Sequence, residues 1–134
     1  MKRFATLLLV LLFAAGCGSG NVRLGGTVTF DDGTPLTTGA VIFSTDSFMA
    51  RGTIGEDGKY DMGTYGAADG LPAGTYKVYI SGATEEITVG GQLGLYSLID
   101  PAFAEYNSTP LNVEVPVSGN KFDITVPRNT ARRP

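Results

Sequence analysis

The chain has 134 residues, a formal net charge of −3, no histidine and a single cysteine, Cys17. This length suits one domain that buries a hydrophobic core without disulfides. Without histidine, Ser-His-Asp and Cys-His catalysis is excluded, and one cysteine cannot complete a zinc site. Basic residues are scattered except in the tail, at Arg128, Arg132 and Arg133. No basic stripe is present, so we expect no nucleic-acid partner.

The first 17 residues have the pattern of a secretion signal. Lys2 and Arg3 precede an apolar run at residues 4–13, and Ala14-Ala15-Gly16 stands directly before Cys17. The run is shorter than the roughly 20 apolar residues that a membrane-spanning helix needs. This pattern resembles a bacterial lipoprotein signal with its lipobox. It departs from the usual pattern at Ala14, where leucine is commonest, so ordinary secretory cleavage remains the alternative.

The resemblance implies a covalent lipid on Cys17. In that family the thiol receives a diacylglyceryl group, the signal at 1–16 is removed, and the new amino terminus is usually acylated. Two or three acyl chains anchor a protein stably, whereas one chain is marginal. Gly18 follows the cysteine where aspartate would suggest inner-membrane retention, so we expect the outer membrane or the cell surface. Loss of Lys2 and Arg3 with the signal leaves 118 residues with a formal charge of −5.

Residues 17–21 form a lipidated cysteine and short linker, and the segment 22–127 has the alternating pattern of short strands. The clearest strand begins at Tyr76, with Tyr76, Val78 and Ile80 on its inner face. Other strands are predicted at 22–30, 40–44, 51–54, 59–62, 87–89, 111–115 and 122–126. About seven short strands with glycine-rich turns indicate an all-β fold, a single antiparallel β-sandwich of two sheets. Residues 128–134 form a polar tail.

Three turn signals accompany the strands. The segment Glu56-Asp57-Gly58 predicts a hairpin that joins 51–54 to 59–62. Asp100-Pro101 predicts a helix N-cap followed by a turn or so of helix through Tyr106. Gly74 is expected to need a positive φ just before the strand from Tyr76. Gly26 falls on the inner face of the first strand, which is typical of a close backbone approach.

Three stretches carry a further resemblance: residues 26–43 with Asp32-Gly33-Thr34-Pro35-Leu36, then Asp57-Gly58-Lys59-Tyr60, then Gly70-Leu71-Pro72-Ala73-Gly74-Thr75-Tyr76. Together they resemble a carboxypeptidase regulatory-like domain of the transthyretin-like, prealbumin-type group. Residues 106–111 and 119–123 are similar to the carboxy-terminal part of small bacterial lipoproteins in that group. The resemblance covers about residues 22–126 and implies an Ig-like or prealbumin-like sandwich. Such domains serve in stability, adhesion or carbohydrate contact.

Candidate site residues are few. Tyr65, Tyr79, Tyr96 and Tyr106 are candidates for an aromatic platform that stacks on sugar rings, although core or edge packing is the more common role. The carboxylate pairs, Asp31 with Asp32, Glu56 with Asp57 and Glu85 with Glu86, are adjacent in sequence. Neighbouring residues of a strand point to opposite faces, so these pairs do not form a shared acid and base site. We interpret them as solvated turn residues. We expect neither a metal nor a cofactor apart from the lipid.

Two functions follow as hypotheses. The first is a non-enzymatic, membrane-anchored envelope lipoprotein that acts as a structural or interaction module. The second is a surface carbohydrate-binding protein that uses exposed tyrosines, with Tyr96 and its glycine-rich loop in a shallow groove. The expected partners are the membrane, through the anchor, and a protein or polysaccharide that the sequence leaves unidentified.

Overall fold

The computed structural model describes residues 21–66 and 68–131. The predicted signal at 1–16, Cys17 and the last three residues of the tail lie outside these ranges. The described residues form eleven strands and two short 3₁₀ helices, at Pro101–Ala104 and Ser118–Asn120. The strands are β1 (Asn21–Val22), β2 (Gly25–Phe30), β3 (Ala40–Ser44), β4 (Met49–Thr53), β5 (Lys59–Asp61), β6 (Leu71–Pro72), β7 (Gly74–Ser81), β8 (Thr84–Val89), β9 (Gln92–Ser97), β10 (Leu111–Val115) and β11 (Ile124–Val126).

A four-stranded antiparallel sheet has the order β10-β7-β3-β4. Its centre is β7, where Tyr76, Val78 and Ile80 are buried. The alternate residues Lys77 and Tyr79 are half-buried on the outer face. This alternation confirms the faces predicted for the strand, because successive side chains of a strand point to opposite sides.

A second sheet has three strands in the order β11-β2-β5. β5 is antiparallel to β2, whereas β11 runs parallel to β2, with Ile124 opposite Val28. The expectation of purely antiparallel pairing is therefore wrong at this edge. The reason is the route of the chain, which leaves the four-stranded sheet at the end of β10 and passes through the 3₁₀ helix Ser118–Asn120 before it enters beside β2.

The two sheets share one hydrophobic core. A single cluster of buried residues includes Phe43, Val78 and Ile80 from the four-stranded sheet and Val28 and Ile124 from the three-stranded sheet. The all-β fold class is confirmed, and two sheets around one core agree with the predicted sandwich. The strand count of eleven exceeds the expected seven or so, because β1 pairs separately with β6 and β8 pairs with β9.

The predicted hairpin around Glu56-Asp57-Gly58 is wrong in its pairing. Its turn is present, with Gly55 N–H donating to the Lys59 carbonyl at 2.8 Å and Gly58 N–H to the Gly55 carbonyl at 2.9 Å. However, β4 pairs with β3 and β5 pairs with β2. The turn therefore carries the chain from one sheet to the other, and only one bridge, between Arg51 and Gly63, joins the two segments.

The predicted N-cap at Asp100 is confirmed. Its side chain accepts a hydrogen bond from Ala102 N–H at 3.0 Å, although the 3₁₀ helix Pro101–Ala104 ends earlier than expected.

The described part of the tail is held in place. Asn129 N–H donates to the Leu98 carbonyl at 3.1 Å, and its side-chain amide donates to the Ser97 carbonyl at 2.9 Å.

Gly70 combines a positive φ with a close backbone contact. Gly74 has a positive φ of 157°, as predicted, but a Cβ built on it would meet nothing closer than 3.8 Å. Gly70 has φ of 81°, and a Cβ there would lie 2.3 Å from the Val22 carbonyl oxygen. This contact exists because β1 crosses directly over Gly70 to pair with β6. Gly70 therefore needs both an unusual φ and the absence of a side chain.

We predict that Gly70→Ala lowers the free energy of unfolding by roughly 3 kcal/mol, through backbone strain together with displacement of β1. The matched control is Gly33→Ala, because Gly33 has φ of 88° and open space around its Cβ position. The control should cost about 1 kcal/mol, from backbone strain alone. Urea titration of both variants measures the difference, and equal costs would contradict the close approach of β1.

Candidate functional site

The most exposed apolar surface belongs to a β-hairpin made of β8 and β9. The two-residue turn between them is Gly90-Gly91, with φ of 59° and 81°. Positive φ at both central residues is the geometry of the type I′ turn, which matches the twist of a hairpin. The sequence signal was this Gly-Gly pair between two β-prone segments. The sequence predicts a strand here only at 87–89, followed by a glycine-rich stretch at 90–94, so β9 was not predicted.

The hairpin exposes leucines on one face. Leu93 is 77% exposed and Leu95 is 70% exposed. They pair with Thr88 and Glu86 of β8, so all four side chains lie on the same face. Val89 is exposed as well, on the opposite face. Contiguous exposed apolar residues of this kind mark interaction sites more often than isolated ones do.

Only the base of the hairpin is attached to the domain. The Tyr96 hydroxyl donates to the Ala131 carbonyl at 2.8 Å, and Leu98 N–H donates to the Ala83 carbonyl at 2.8 Å. Within residues 21–66 and 68–131, no further strand pairs with either β8 or β9. A two-stranded hairpin is marginally stable in water. The leucine face and the edge of β9 at Leu93 and Leu95 are therefore open to a partner, whereas the Ser97 carbonyl at the end of β9 accepts from the side-chain amide of Asn129.

Tyr65 lies in a groove on the edge of the domain, which we call the Tyr65 groove. The groove has a volume of about 480 Å³, and Tyr65 is 91% exposed. Two cations, Arg51 and Lys59, and the carboxylate of Asp61 also line it. An exposed aromatic ring beside charged groups is an arrangement that suits a polar ring such as a sugar.

A single carboxylate orders the loop that carries Tyr65. Asp69 accepts backbone N–H bonds from Thr64 at 2.7 Å, Tyr65 at 3.2 Å and Gly66 at 3.0 Å. The Thr64 bond is the largest cause of a lowered pKa at Asp69, since hydrogen bonds to the charged form favour it. The sequence gives no periodic signal for this arrangement, because Asp69 stands among small residues.

Tyr106 occupies a different groove, about 300 Å³ in volume, which is lined by Tyr76 and Tyr106 but by none of the other candidate tyrosines. Its hydroxyl donates to Asp46 at 2.8 Å, which raises the pKa of Tyr106. The ammonium of Lys77 lies 4.6 Å from the centre of the Tyr106 ring, a cation–π contact. These contacts tie the ring down on the outer side of β7.

The other two candidate tyrosines serve local packing. The Tyr79 hydroxyl lies 3.9 Å from the Met49 sulfur, across the outer face of the four-stranded sheet. Tyr96 is half-buried at the base of the hairpin, while its neighbour Leu95 is exposed. The structure therefore does not bring the four tyrosines together. It also places the exposed apolar residues of the hairpin, which sequence analysis missed, beside Tyr96.

Two of the three carboxylate pairs, Asp31 with Asp32 and Glu56 with Asp57, lie in turns as predicted, whereas the prediction is wrong for Glu85 and Glu86, which lie within β8. Asp32 accepts Thr34 N–H at 2.9 Å and forms an ion pair with Arg128 at 3.0 Å, and these contacts lower its pKa. Asp57 accepts Lys59 N–H at 3.0 Å. Glu85 and Glu86 point to opposite faces of β8. The part of the chain that the structure describes contains no group of three or more His, Cys, Asp or Glu residues arranged to hold a metal ion.

In comparisons with known proteins, no family model, no curated protein and no solved structure matches the chain. Across the described residues, no helix has both the length and the apolar character needed to cross a membrane.

We predict that Asp69 stabilises the folded protein in a pH-dependent way. The pKa of Asp69 in the folded protein lies below its ordinary value of 3.8. Its contribution to the free energy of unfolding is therefore complete above pH 3.8 and is lost as the pH falls through the folded-state pKa. Asp69→Asn should therefore lower the urea midpoint at pH 7, and the gap to the parent chain should narrow below pH 3.8. Asp61→Asn is the control, and a gap for Asp69→Asn that stays constant with pH would contradict the assignment.

Proposed function

We propose that the chain is a lipid-anchored lipoprotein of the bacterial cell envelope, attached through Cys17 to the outer membrane or the cell surface. It acts there as a non-enzymatic structural or interaction module, and its contact element is the β8–β9 hairpin. The signal-like pattern from Lys2 to Cys17 supports the anchor. The all-β fold agrees with the resemblance to carboxypeptidase regulatory-like domains of the transthyretin-like group.

The observation that carries the interaction role is the exposure of Leu93 and Leu95 on an otherwise unpaired hairpin. Burying a leucine side chain contributes about 1.5–3 kcal/mol relative to leaving it in water. Two leucines on one face therefore offer a partner a substantial gain without rearrangement of the core. The carboxylates of Asp32, Asp57 and Asp69 bond to backbone N–H groups, which supports a structural use of these acids.

Carbohydrate binding is the second candidate, and one observation favours it. Tyr65 is almost fully exposed in a groove that also presents Arg51, Lys59 and Asp61. A saccharide would stack on the ring and bond to the charged groups. The hairpin remains the first candidate because it presents two exposed leucines side by side on one face, whereas the Tyr65 groove presents a single ring.

We predict that Cys17→Ser abolishes lipid attachment. The serine hydroxyl is a poorer nucleophile than the cysteine thiolate and does not form the thioether to the diacylglyceryl group. The full-length variant should accumulate unprocessed and should not incorporate a radioactive fatty acid. Ser19→Ala is the control and should be labelled like the parent chain, whereas labelling of Cys17→Ser would disprove the lipoprotein proposal.

We predict that a photoreactive amino acid at Leu95 cross-links the full chain to protein in its native host. The same amino acid at Thr53, an exposed position on β4, is the control. Illumination at position 95, and not at 53, should give products of increased mass that a protease digests. A third variant at Tyr65 tests the alternative, because products there that periodate destroys would indicate a glycan.

The outcomes separate the two functions. Protein products at position 95 support the interaction module, whereas glycan products at position 65 alone would replace it with carbohydrate binding. If position 95 gives no more product than position 53, the proposed role of the hairpin is wrong.

A further inference from the structure

The outer edge of β9 lacks the devices that keep sheet edges apart. Exposed edges normally carry lysine, proline or a bulge, which prevents pairing with another chain. β9 has the sequence Gln-Leu-Gly-Leu-Tyr-Ser, which contains neither a charge nor a proline. Both charges of the hairpin, Glu85 and Glu86, lie on β8. Among the described residues, the only strand paired with β9 is β8.

The turn determines which backbone groups of β9 are free. In a type I′ turn the residues on either side, Val89 and Gln92, form a hydrogen-bonded pair. Such pairs alternate along an antiparallel ladder, so the next one joins Ile87 to Gly94. The N–H and C=O groups of Leu93 and Leu95 consequently face away from β8, and they form the free edge.

We propose that this edge pairs with β9 of a second copy of the chain, antiparallel and centred on Gly94. The proposal rests on the role given above to the hairpin and names its partner. In this register Leu93 lies opposite Leu95 of the second copy, and their outward N–H and C=O groups form the hydrogen bonds. All four leucines then lie on one face of a four-stranded sheet, where opposed leucines cover one another.

The charge distribution favours a second copy at this edge. Pairing through β9 leaves Glu85 and Glu86 of each copy on the two outermost strands. Three strand spacings of about 4.8 Å put these strands roughly 14 Å apart. This separation exceeds the Debye length of about 8 Å at physiological salt, so their repulsion is screened. Pairing through β8 would instead place carboxylates of the two copies on adjacent strands.

The residue at the centre of the pairing fits as well. Gly94 would face Gly94 of the second copy as a non-hydrogen-bonded pair, the closer of the two kinds, with Cα atoms about 4.5 Å apart. A Cβ added to Gly94 would meet nothing within 4 Å in the isolated chain. The interface is smaller than the roughly 800 Å² per partner of a standard complex, so the dimer is reversible and depends on concentration. Its two-fold symmetry closes the assembly at two copies.

The test is a disulfide across the two-fold axis. We expect the full-length Gly94→Cys variant, in membranes of its native host, to form a disulfide-linked dimer on mild oxidation. The Cα separation of the central pair falls within the range of about 4.4–6.8 Å that a disulfide allows. Thr88→Cys is the matched control, because it adds one thiol to the same hairpin on the far strand. The parent chain, with Cys17 alone, gives the background.

A second change makes the test independent of the cysteine. Leu93→Lys together with Leu95→Lys places charges on the edge and should remove the dimer formed by Gly94→Cys. Photo-cross-linking at Leu95 should also give a product with the mass of two copies. A disulfide yield for Gly94→Cys no higher than for Thr88→Cys would overturn the second-copy proposal. If photo-cross-links from position 95 to other proteins were then still observed, the interaction module would stand with a different partner. If no photo-cross-links were observed either, the second-copy proposal and the interaction role of the hairpin would both be overturned.

Discussion

The close approach of the Phe122 segment to β2 is the contact on which the rest of the structure depends. A Cβ at Gly26 would lie 2.1 Å from the Phe122 carbonyl oxygen, so only glycine admits this approach. Phe122 N–H donates to the Gly25 carbonyl at 2.8 Å, and Asp123 accepts Thr27 N–H at 2.9 Å. The Tyr60 hydroxyl donates to the same Phe122 carbonyl, and burial raises the pKa of Tyr60, so it stays protonated and keeps this bond. Together these bonds bring β11 into the sheet beside β2.

The position of β11 in turn fixes the base of the hairpin. Directly after β11, the Arg128 guanidinium lies 3.9 Å from the centre of the Phe30 ring and pairs with Asp32. Arg128 also forms a bridge with Ile99, just beyond the end of β9. The segment from Arg128 to Ala131 therefore links the three-stranded sheet to the hairpin. The contact of Phe122 with the start of β2 thus helps to hold the base of the β8–β9 hairpin, which lies near the other end of β2.

Local patterns of the sequence predicted the parts of this fold that depend on local rules. The two-residue period of β7 assigned Tyr76, Val78 and Ile80 to the core, because strand geometry alone sets which side chains share a face. The cap at Asp100 was predictable because an Asp followed by Pro is a local signal for the start of a helix. The parallel entry of β11 was not, since it depends on contacts such as Thr27 with Asp123, 96 residues apart. The pairing of β5 with β2, and not with the neighbouring β4, likewise depends on a partner that is distant in the sequence.

The candidate site was harder to predict than the fold because its signal is an exposed strand. Periodicity detects a strand when one face is buried, but Leu93 and Leu95 alternate with Gly94 and no core lies behind them. The four tyrosines drew attention as aromatic residues, yet burial and hydrogen bonds hold Tyr79, Tyr96 and Tyr106 in local packing. Only Tyr65 is free to meet a ligand, and its exposure depends on the bonds of its loop to Asp69.

The placement of the hairpin within the domain fits the proposed role. The chain enters at Asn21, which pairs with Pro72, two residues before β7 begins. β7 then spans eight residues to Ser81, a distance of roughly 23 Å at 3.3 Å per residue, and the hairpin begins three residues later. Three residues lie between Cys17 and Asn21, and the four Cα-to-Cα steps that join the two reach at most about 14 Å. With a lipid on Cys17, the bilayer would lie beside one end of the sandwich and the base of the hairpin at the other. The leucines are then accessible to proteins of the envelope, including further anchored copies, whose confinement to one surface raises the local concentration that a weak strand pairing requires.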